Sequence, residues 1–176
     1  MKLSQATQKF ILHWGEMGTR WGVNRTIAQI HALLYILPQP LNAEDIADCL
    51  SLARSNVSAS LKELQGWGIV RIVHRMGDRR DNFESVKNAW QMFQIVLDQR
   101  KKREIDPTIR VIQESIDELK DRSDAYAKDK LVEMLEFFTT TTNFYEEVRK
   151  LPTGTLHRLI RLGGKIQGLL GRSSVK

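Results

Sequence analysis

The apolar rhythm of this chain changes period once, over a short stretch in its first half, and that change limits the fold more than any other feature. Up to Trp67 the pattern is helical. Val57, Leu61 and Leu64 fall at i, i+4 and i+7 and mark the buried stripe of a helix over Ala53–Trp67. The residues from Ile69 to Arg75 then read Ile-Val-Arg-Ile-Val-His-Arg, β-branched and partly alternating, and Gly77-Asp78 supplies a turn. Asn82–Val86 follows as the paired strand. From Asn88 to about Leu170 the pattern is helical again. The expected fold class is therefore mainly α with a small β-hairpin.

Three more helices precede the one over Ala53–Trp67. Ser4–Met17 places Leu3, Phe10, Trp14 and Met17 near one face, and Arg25–Leu37 ends at Pro38. Asn42 caps a short helix, Ala43–Leu50, whose Ile46, Ala47 and Leu50 face inward. This short helix, the tight turn Leu50-Ser51-Leu52 and the helix after it make a helix-turn-helix unit. With the hairpin added, Leu41–Val86 has the element order of a winged helix-turn-helix. The organisation read from the sequence is an N-terminal packing or dimerisation helix over 1–23, a winged helix-turn-helix domain over 24–87, and long C-terminal dimerisation helices over 88–176, with room for an effector.

In such a unit the second helix enters the major groove of double-stranded DNA. With Val57, Leu61 and Leu64 turned inward, Ser55, Ala59 and Lys62 lie opposite, flanked by Arg54, Asn56 and Ser58. Small residues let the backbone approach, Ser and Asn bond base edges or phosphates, and Arg54 and Lys62 neutralise phosphate. At the hairpin tip, Met76-Gly77-Asp78-Arg79-Arg80-Asp81 holds two adjacent guanidinium groups. Planar, less strongly hydrated Arg suits a narrow, electronegative minor groove. Asp78 and Asp81 are expected to orient the two arginines through ion pairs.

Charge is distributed in agreement with this. The formal net charge is +6. Residues 51–110 and 151–176 each carry +5, and residues 111–150 between them carry −4, so any electrostatic footprint is local. A single cysteine, Cys49, excludes an intramolecular disulfide framework, and its place beside Leu50 suggests a buried apolar role. No run reaches the about 18 apolar residues of a membrane span, and the opening residues lack the apolar run of a secretory signal. A cytoplasmic protein is expected. There is no Gly-x-Ser-x-Gly elbow, His-Glu-x-x-His, Walker loop or Rossmann fingerprint, and His13, His31, His74 and His157 lack metal-ligand spacing. The expectation is a non-enzyme without cofactor or metal.

Several segments together resemble the GbsR/MarR-type branch of bacterial winged-helix transcriptional regulators. They are Met17-Gly18-Thr19-Arg20-Trp21-Gly22 with Arg25-Thr26, Ala53-Arg54-Ser55-Asn56-Val57-Ser58 leading to Leu61-Lys62-Glu63-Leu64, Gly77-Asp78-Arg79-Arg80-Asp81 with Trp90, and Arg103-Glu104-Ile105-Asp106-Pro107. The match covers roughly residues 5–110. The resemblance implies a homodimer, most often a repressor, on a near-palindromic operator, with a small-molecule effector and a link to osmoprotectant genes. It makes Arg54, Ser55, Asn56, Ser58 and Lys62 contacts of the recognition helix and Arg79 and Arg80 contacts of the wing. Ala53 departs from the wider pattern, in which a Ser often caps this helix; capping then falls to Ser51 or Ser55.

Ile105, Ile109, Ile112, Ile116 and Leu119 recur at the 4-3-4-3 spacing of a coiled-coil seam, and Leu131, Leu135, Phe138, Thr142 and Tyr145 repeat it. Packing between subunits and packing within one chain use the same spacing; the seam is expected to join subunits. The basic stretch Thr155–Leu170 is read as a dimer-packing tail rather than a membrane-surface helix. Six aromatic residues (Trp14, Trp21, Tyr35, Trp67, Trp90 and Phe93) either fill the core or include a cage for a quaternary ammonium effector. The alternative to DNA binding is a winged-helix module that docks another protein.

Overall fold

The computed structural model describes residues 3–119 and 124–152, together with 154, 155, 158 and 162. The chain divides into two compact units, Met1–Leu97 and Asp98–Lys176. In the first, helices α1 (Gln5–Arg20) and α2 (Arg25–Ile36) precede a two-residue strand β1 (Leu41–Asn42), helices α3 (Ala43–Leu50) and α4 (Arg54–Gly66), and strands β2 (Val70–Arg75) and β3 (Asp78–Ser85). Helix α5 spans Ala89–Arg100; a π-helical turn over Lys101–Ile105, α6 (Asp106–Glu118) and α7 (Ala125–Arg149) follow. The result is the expected mainly helical winged helix-turn-helix, with a small antiparallel sheet of order β1-β3-β2.

The sheet has one strand more than the hairpin expected from sequence. Leu41 pairs with Phe83 and Asn42 with Asn82, so the chain entering α3 is stitched to the wing. The return strand also starts earlier than Asn82, at Asp78, because only Met76 and Gly77 are needed for the turn and Gly77 takes φ +83°. Helix α1 likewise runs three residues past the expected end at Met17. Gly18 is no break there: a Cβ at this position would lie 2.5 Å from that of Ala28, so the glycine lets α1 and α2 approach closely.

The core of the first unit is built from the apolar stripes of α2, α3 and α4. Ile30, Leu33, Ile46 and Val57 are fully buried, with Leu61, Leu64 and Ile69 beside them. Asn42 caps α3 as expected, its Oδ1 accepting from the Asp45 amide at 2.9 Å. Ser51 ends α3 in the left-handed region at φ +53°, which sets the tight turn into α4. Helix α4 starts without a side-chain cap: Ala53 is the N-cap residue, and neither Ser51 nor Ser55 takes over. Cys49 is half-buried against this core.

One anchor was not foreseen. Lys87, just beyond β3, donates from Nζ to the carbonyls of Leu34 (2.6 Å), Tyr35 (3.2 Å) and Leu37. An ammonium on the last carbonyls of α2 satisfies acceptors that the helix leaves open and complements its dipole. It ties the exit of the wing to the middle of the core.

In the second unit α6 packs on α7. Ile112 is 5% exposed, while Ile105, Ile109, Ile116 and Leu119 are half-buried, as are Leu131, Leu135, Phe138, Thr142 and Tyr145 on α7. Both seams thus mark faces turned inward within the unit. Tyr145 donates to Asp98 at 2.7 Å, Arg149 pairs with Asp98 at 3.1 Å, and Lys101 links Asp106 to Glu146. Among the described residues no helix is long and apolar enough to cross a membrane. Most of Thr155–Leu170 lies outside the described residues.

Candidate nucleic-acid interface and an apolar cavity

Helix α4 presents the face read from sequence. Val57, Leu61 and Leu64 are buried, and Arg54, Ser55, Asn56, Ser58, Ala59 and Lys62 are exposed. The α3–α4 turn and the buried stripe fix this orientation, since rotating α4 would place Val57 or Leu61 in water. The missing cap leaves the first amides of α4 without a side-chain acceptor. A helix start of that kind suits an anion such as a phosphate.

The wing arginines have opposite surroundings. Arg80 is clamped by Asp78: its Nε donates to Oδ1 at 2.9 Å, its Nη2 to Oδ2 at 3.1 Å, and its own amide to Oδ1 at 3.0 Å. These bonds hold the Asp78 carboxyl well below the usual carboxylate range and raise the Arg80 guanidinium further. Asn82, buried at the base of the wing, donates to Asp78 and to the Arg80 carbonyl. Arg79 is exposed and makes no ion pair among the described residues. The expectation that Asp81 would orient one of the two tip arginines is not met: among the described residues of the wing Asp78 does so, and it holds Arg80 and not Arg79. Strand alternation explains this, because Asp78 and Arg80 project from one side of β3 while Arg79 and Asp81 project from the other.

A residue that the sequence reading passed over joins the two parts. Glu44, in the first turn of α3, places Oε1 2.8 Å from Arg54 Nη1 and Oε2 3.6 Å from Arg80 Nη1. One carboxylate therefore joins the start of α4 to the wing. These three groups are roughly half exposed or more, so the contacts stabilise the fold little; their value is geometric. Lys62, further along α4, is exposed and makes no ion pair among the described residues.

The first unit also holds a cavity of about 170 Å³ lined by α1, α2, the end of α4 and the first turns of α5. Trp14, Trp21, Trp67 and Phe93 of the six candidate aromatic residues line it; Tyr35 and Trp90 do not. Among the described residues no charged side chain lines it. Its most polar wall is His31, 5% exposed, whose Nε2 meets no hydrogen-bond partner. Burial, and secondarily the charge of Lys87, push the His31 imidazole down to about 4, so it is neutral at pH 7. Among the described residues no group of three His, Cys, Asp or Glu side chains is placed to hold a metal ion.

Fold and site together define a winged helix-turn-helix with a polar, cationic exposed face. Residues 21–81, which include the whole of that face except the far base of the wing, match the model of the MarR family. A crystal structure of a protein described as a transcriptional regulator matches over 89% of this chain and 99% of its own, at 17% identity and a TM-score of 0.65, which shows a shared fold. ST1889 from Sulfolobus tokodaii (19% identity, 52% of this chain and 91% of its own, TM-score 0.41) is a more distant likeness. So is MepR of S. aureus in complex with DNA (16%, 74% and 91%, TM-score 0.38). A comparison with curated proteins finds no match.

Proposed function

We propose that the protein is a DNA-binding transcriptional regulator, a repressor that acts as a cytoplasmic homodimer on a near-palindromic operator. The observation that carries this reading is the joining of an exposed small-and-cationic helix face to an arginine-bearing wing through Glu44. In this reading Arg54, Ser55, Asn56, Ser58, Ala59 and Lys62 meet the major groove, and Arg79 and Arg80 reach the neighbouring minor groove. Two-fold symmetry doubles the number of bases read. Residues 1–23 serve packing, 24–87 read DNA and 88–176 assemble the dimer. Ile105, Ile109, Ile116 and Leu119 contribute there from their half-exposed edges. Val111, Tyr126, Phe137 and Phe144, all more than half exposed, offer further apolar surface for a second copy.

The effector site in this reading is the cavity of the first unit. A dry cavity of comparable size, ~150 Å³, admits a benzene-sized guest. The uncharged lining, the neutral His31 and the adjacent Lys87 favour an uncharged, mostly apolar molecule with one hydrogen-bonding group for Nε2 over a quaternary ammonium. Such a guest acts by favouring one arrangement of the two reading heads. The link to osmoprotectant genes rests on family resemblance alone.

The test is titration of the promoter fragments beside the gene, with a shuffled fragment as control. Preferential binding to one fragment, reduced at least about tenfold by Lys62→Ala with Arg79→Ala, supports the reading. Capture of a protein partner that survives these substitutions, with no DNA binding, would replace it by the protein-docking alternative. For the cavity, quenching of tryptophan fluorescence by benzyl alcohol but not by choline is expected; the reverse order would restore the aromatic cage for a cation.

A further inference from the structure

Two of the four interface cations are already neutralised inside the protein, and the pattern is selective. Arg54 is held by Glu44, and Arg80 by Asp78 and Glu44, whereas Lys62 and Arg79 are uncommitted among the described residues. Asp78 belongs to the wing itself, two residues from the arginine it clamps. Glu44 does not: it stands on another element, ten residues before Arg54 and thirty-six before Arg80 in the chain. Its backbone is anchored from below. Asn42, paired with Asn82 of the wing, caps the helix turn that carries Glu44. The bridge thus has a fixed base on the strand pair and a single carboxylate reaching to both arginines.

An acid at this spot has a cost for a protein that binds a polyanion. It repels phosphate, and an arginine engaged with it releases less on meeting DNA. An acidic residue in a first helical turn is stabilising by itself, through the helix dipole. That ordinary role needs no contact with either arginine, and it predicts that aspartate at this position serves as well as glutamate.

We infer that Glu44 is a specificity-determining positioning residue. Bridging Arg54 and Arg80, it withholds Arg54 from indiscriminate phosphate contact, adds to the hold of Asp78 on Arg80, and keeps recognition helix and wing in one register. The free cations Arg79 and Lys62 supply the general attraction, while the two held guanidiniums engage only where the duplex offers a better acceptor than Glu44 does. The inference rests on the DNA-binding reading above and adds a residue that repels DNA yet sharpens its recognition.

The experiment compares full-length wild type, Glu44→Gln, Glu44→Asp and Glu133→Gln by fluorescence anisotropy. Two duplexes are used across a salt series: one of random sequence, and one enriched from a random pool by the wild type. Glu133 lies on α7 in the second unit, so its substitution makes the same charge change outside the helix face and the wing. Glu44→Gln is expected to bind the random duplex about 3–10-fold tighter with a steeper salt dependence, the freed Arg54 adding up to about 0.9 to the slope while Asp78 keeps its hold on Arg80. Its preference for the enriched duplex should fall by a similar factor. Aspartate keeps the charge at the helix start but is one methylene too short to reach both arginines, so Glu44→Asp should fall between. The inference is overturned if Glu44→Gln binds the random duplex no tighter than wild type, or if Glu133→Gln tightens it equally. It is also overturned if Glu44→Asp is indistinguishable from wild type, which would leave charge alone as the cause. If the wild type enriches no sequence and binds neither duplex, the DNA-binding reading itself fails, a result distinct from those three. Thermal melting of each variant checks that the fold is kept.

Discussion

In the first unit, α2 alone buries Ile27, Ala28, Ile30, Ala32, Leu33 and Leu34, and α3, α4 and the sheet add their own fully buried side chains. In the second, Ile112 is the one buried apolar residue among those described, and α7 has none. Tyr126, Phe137 and Phe144 stand instead at 76%, 64% and 70% exposure on α7. A helix pair with so little of its apolar surface covered does not hold itself together by its own core. The contrast separates two tasks. The first unit carries its own core beneath a polar exposed face, and the second has an exposed apolar face among the described residues, for which a second copy of this chain is the proposed partner.

The sharpest way to break the contrast is a cavity in the first core. Leu33→Ala should cost about 2–5 kcal/mol in chemical denaturation. A matched Leu131→Ala, at a half-buried site of α7, should cost less than half of that. Equal losses would mean that the two units are packed alike.

Acid should act mainly on the first unit. His31 is depressed in the folded protein to about 4 from an ordinary value of 6.5, so the unfolded chain takes up its proton first. The stabilisation by neutral His31 is complete above pH 6.5 and is lost as pH falls towards 4. The loss is about 3 kcal/mol. Denaturation midpoints measured across this window should decline in the wild type and be much flatter in His31→Leu. A wild-type profile that is level from pH 6.5 to 4 would show that the imidazole is not held neutral by its surroundings.

The smallest of these effects is expected in the second unit. Phe137→Ser with Phe144→Ser should weaken self-association at least about tenfold, some 1.4 kcal/mol, in sedimentation equilibrium. The melting of wild type should rise with protomer concentration, and that of the double variant should rise less. Self-association unaffected by both changes would assign this face to something other than a second copy.

Much of this was legible in the chain. The bounds of α2, α3 and α4, the Asn42 cap and the outward set Arg54, Ser55, Asn56, Ser58, Ala59 and Lys62 all follow from local period and capping chemistry. Local signals are strong there because every one of these features lies within a turn or two of helix. What sequence did not disclose is long-range. Strand β1 is two residues and has no period to detect. Lys87 reaches carbonyls some fifty residues earlier, and Glu44 meets arginines on two other elements; an isolated Lys or Glu in a polar stretch carries no mark of such a contact. The Asp78–Arg80 pair was partly legible, since strand alternation favours partners two apart over the adjacent pairing with Asp81. The half-buried seams of α6 and α7 were found correctly as faces, but 4-3-4-3 spacing is common to packing within and between chains.

The account stands on phosphate contact by the wing and the recognition helix, and the salt dependence of Arg79→Ala measures it most directly. Of the two arginines at the wing tip, Arg79 is the one with no ion pair to break among the described residues. Plotting log affinity for a duplex against log salt, Arg79→Ala should lower the slope by roughly one per reading head and weaken binding to every sequence, with a larger loss than Arg80→Ala. A slope identical to that of wild type, with affinity unchanged, would contradict the placement of this wing on DNA.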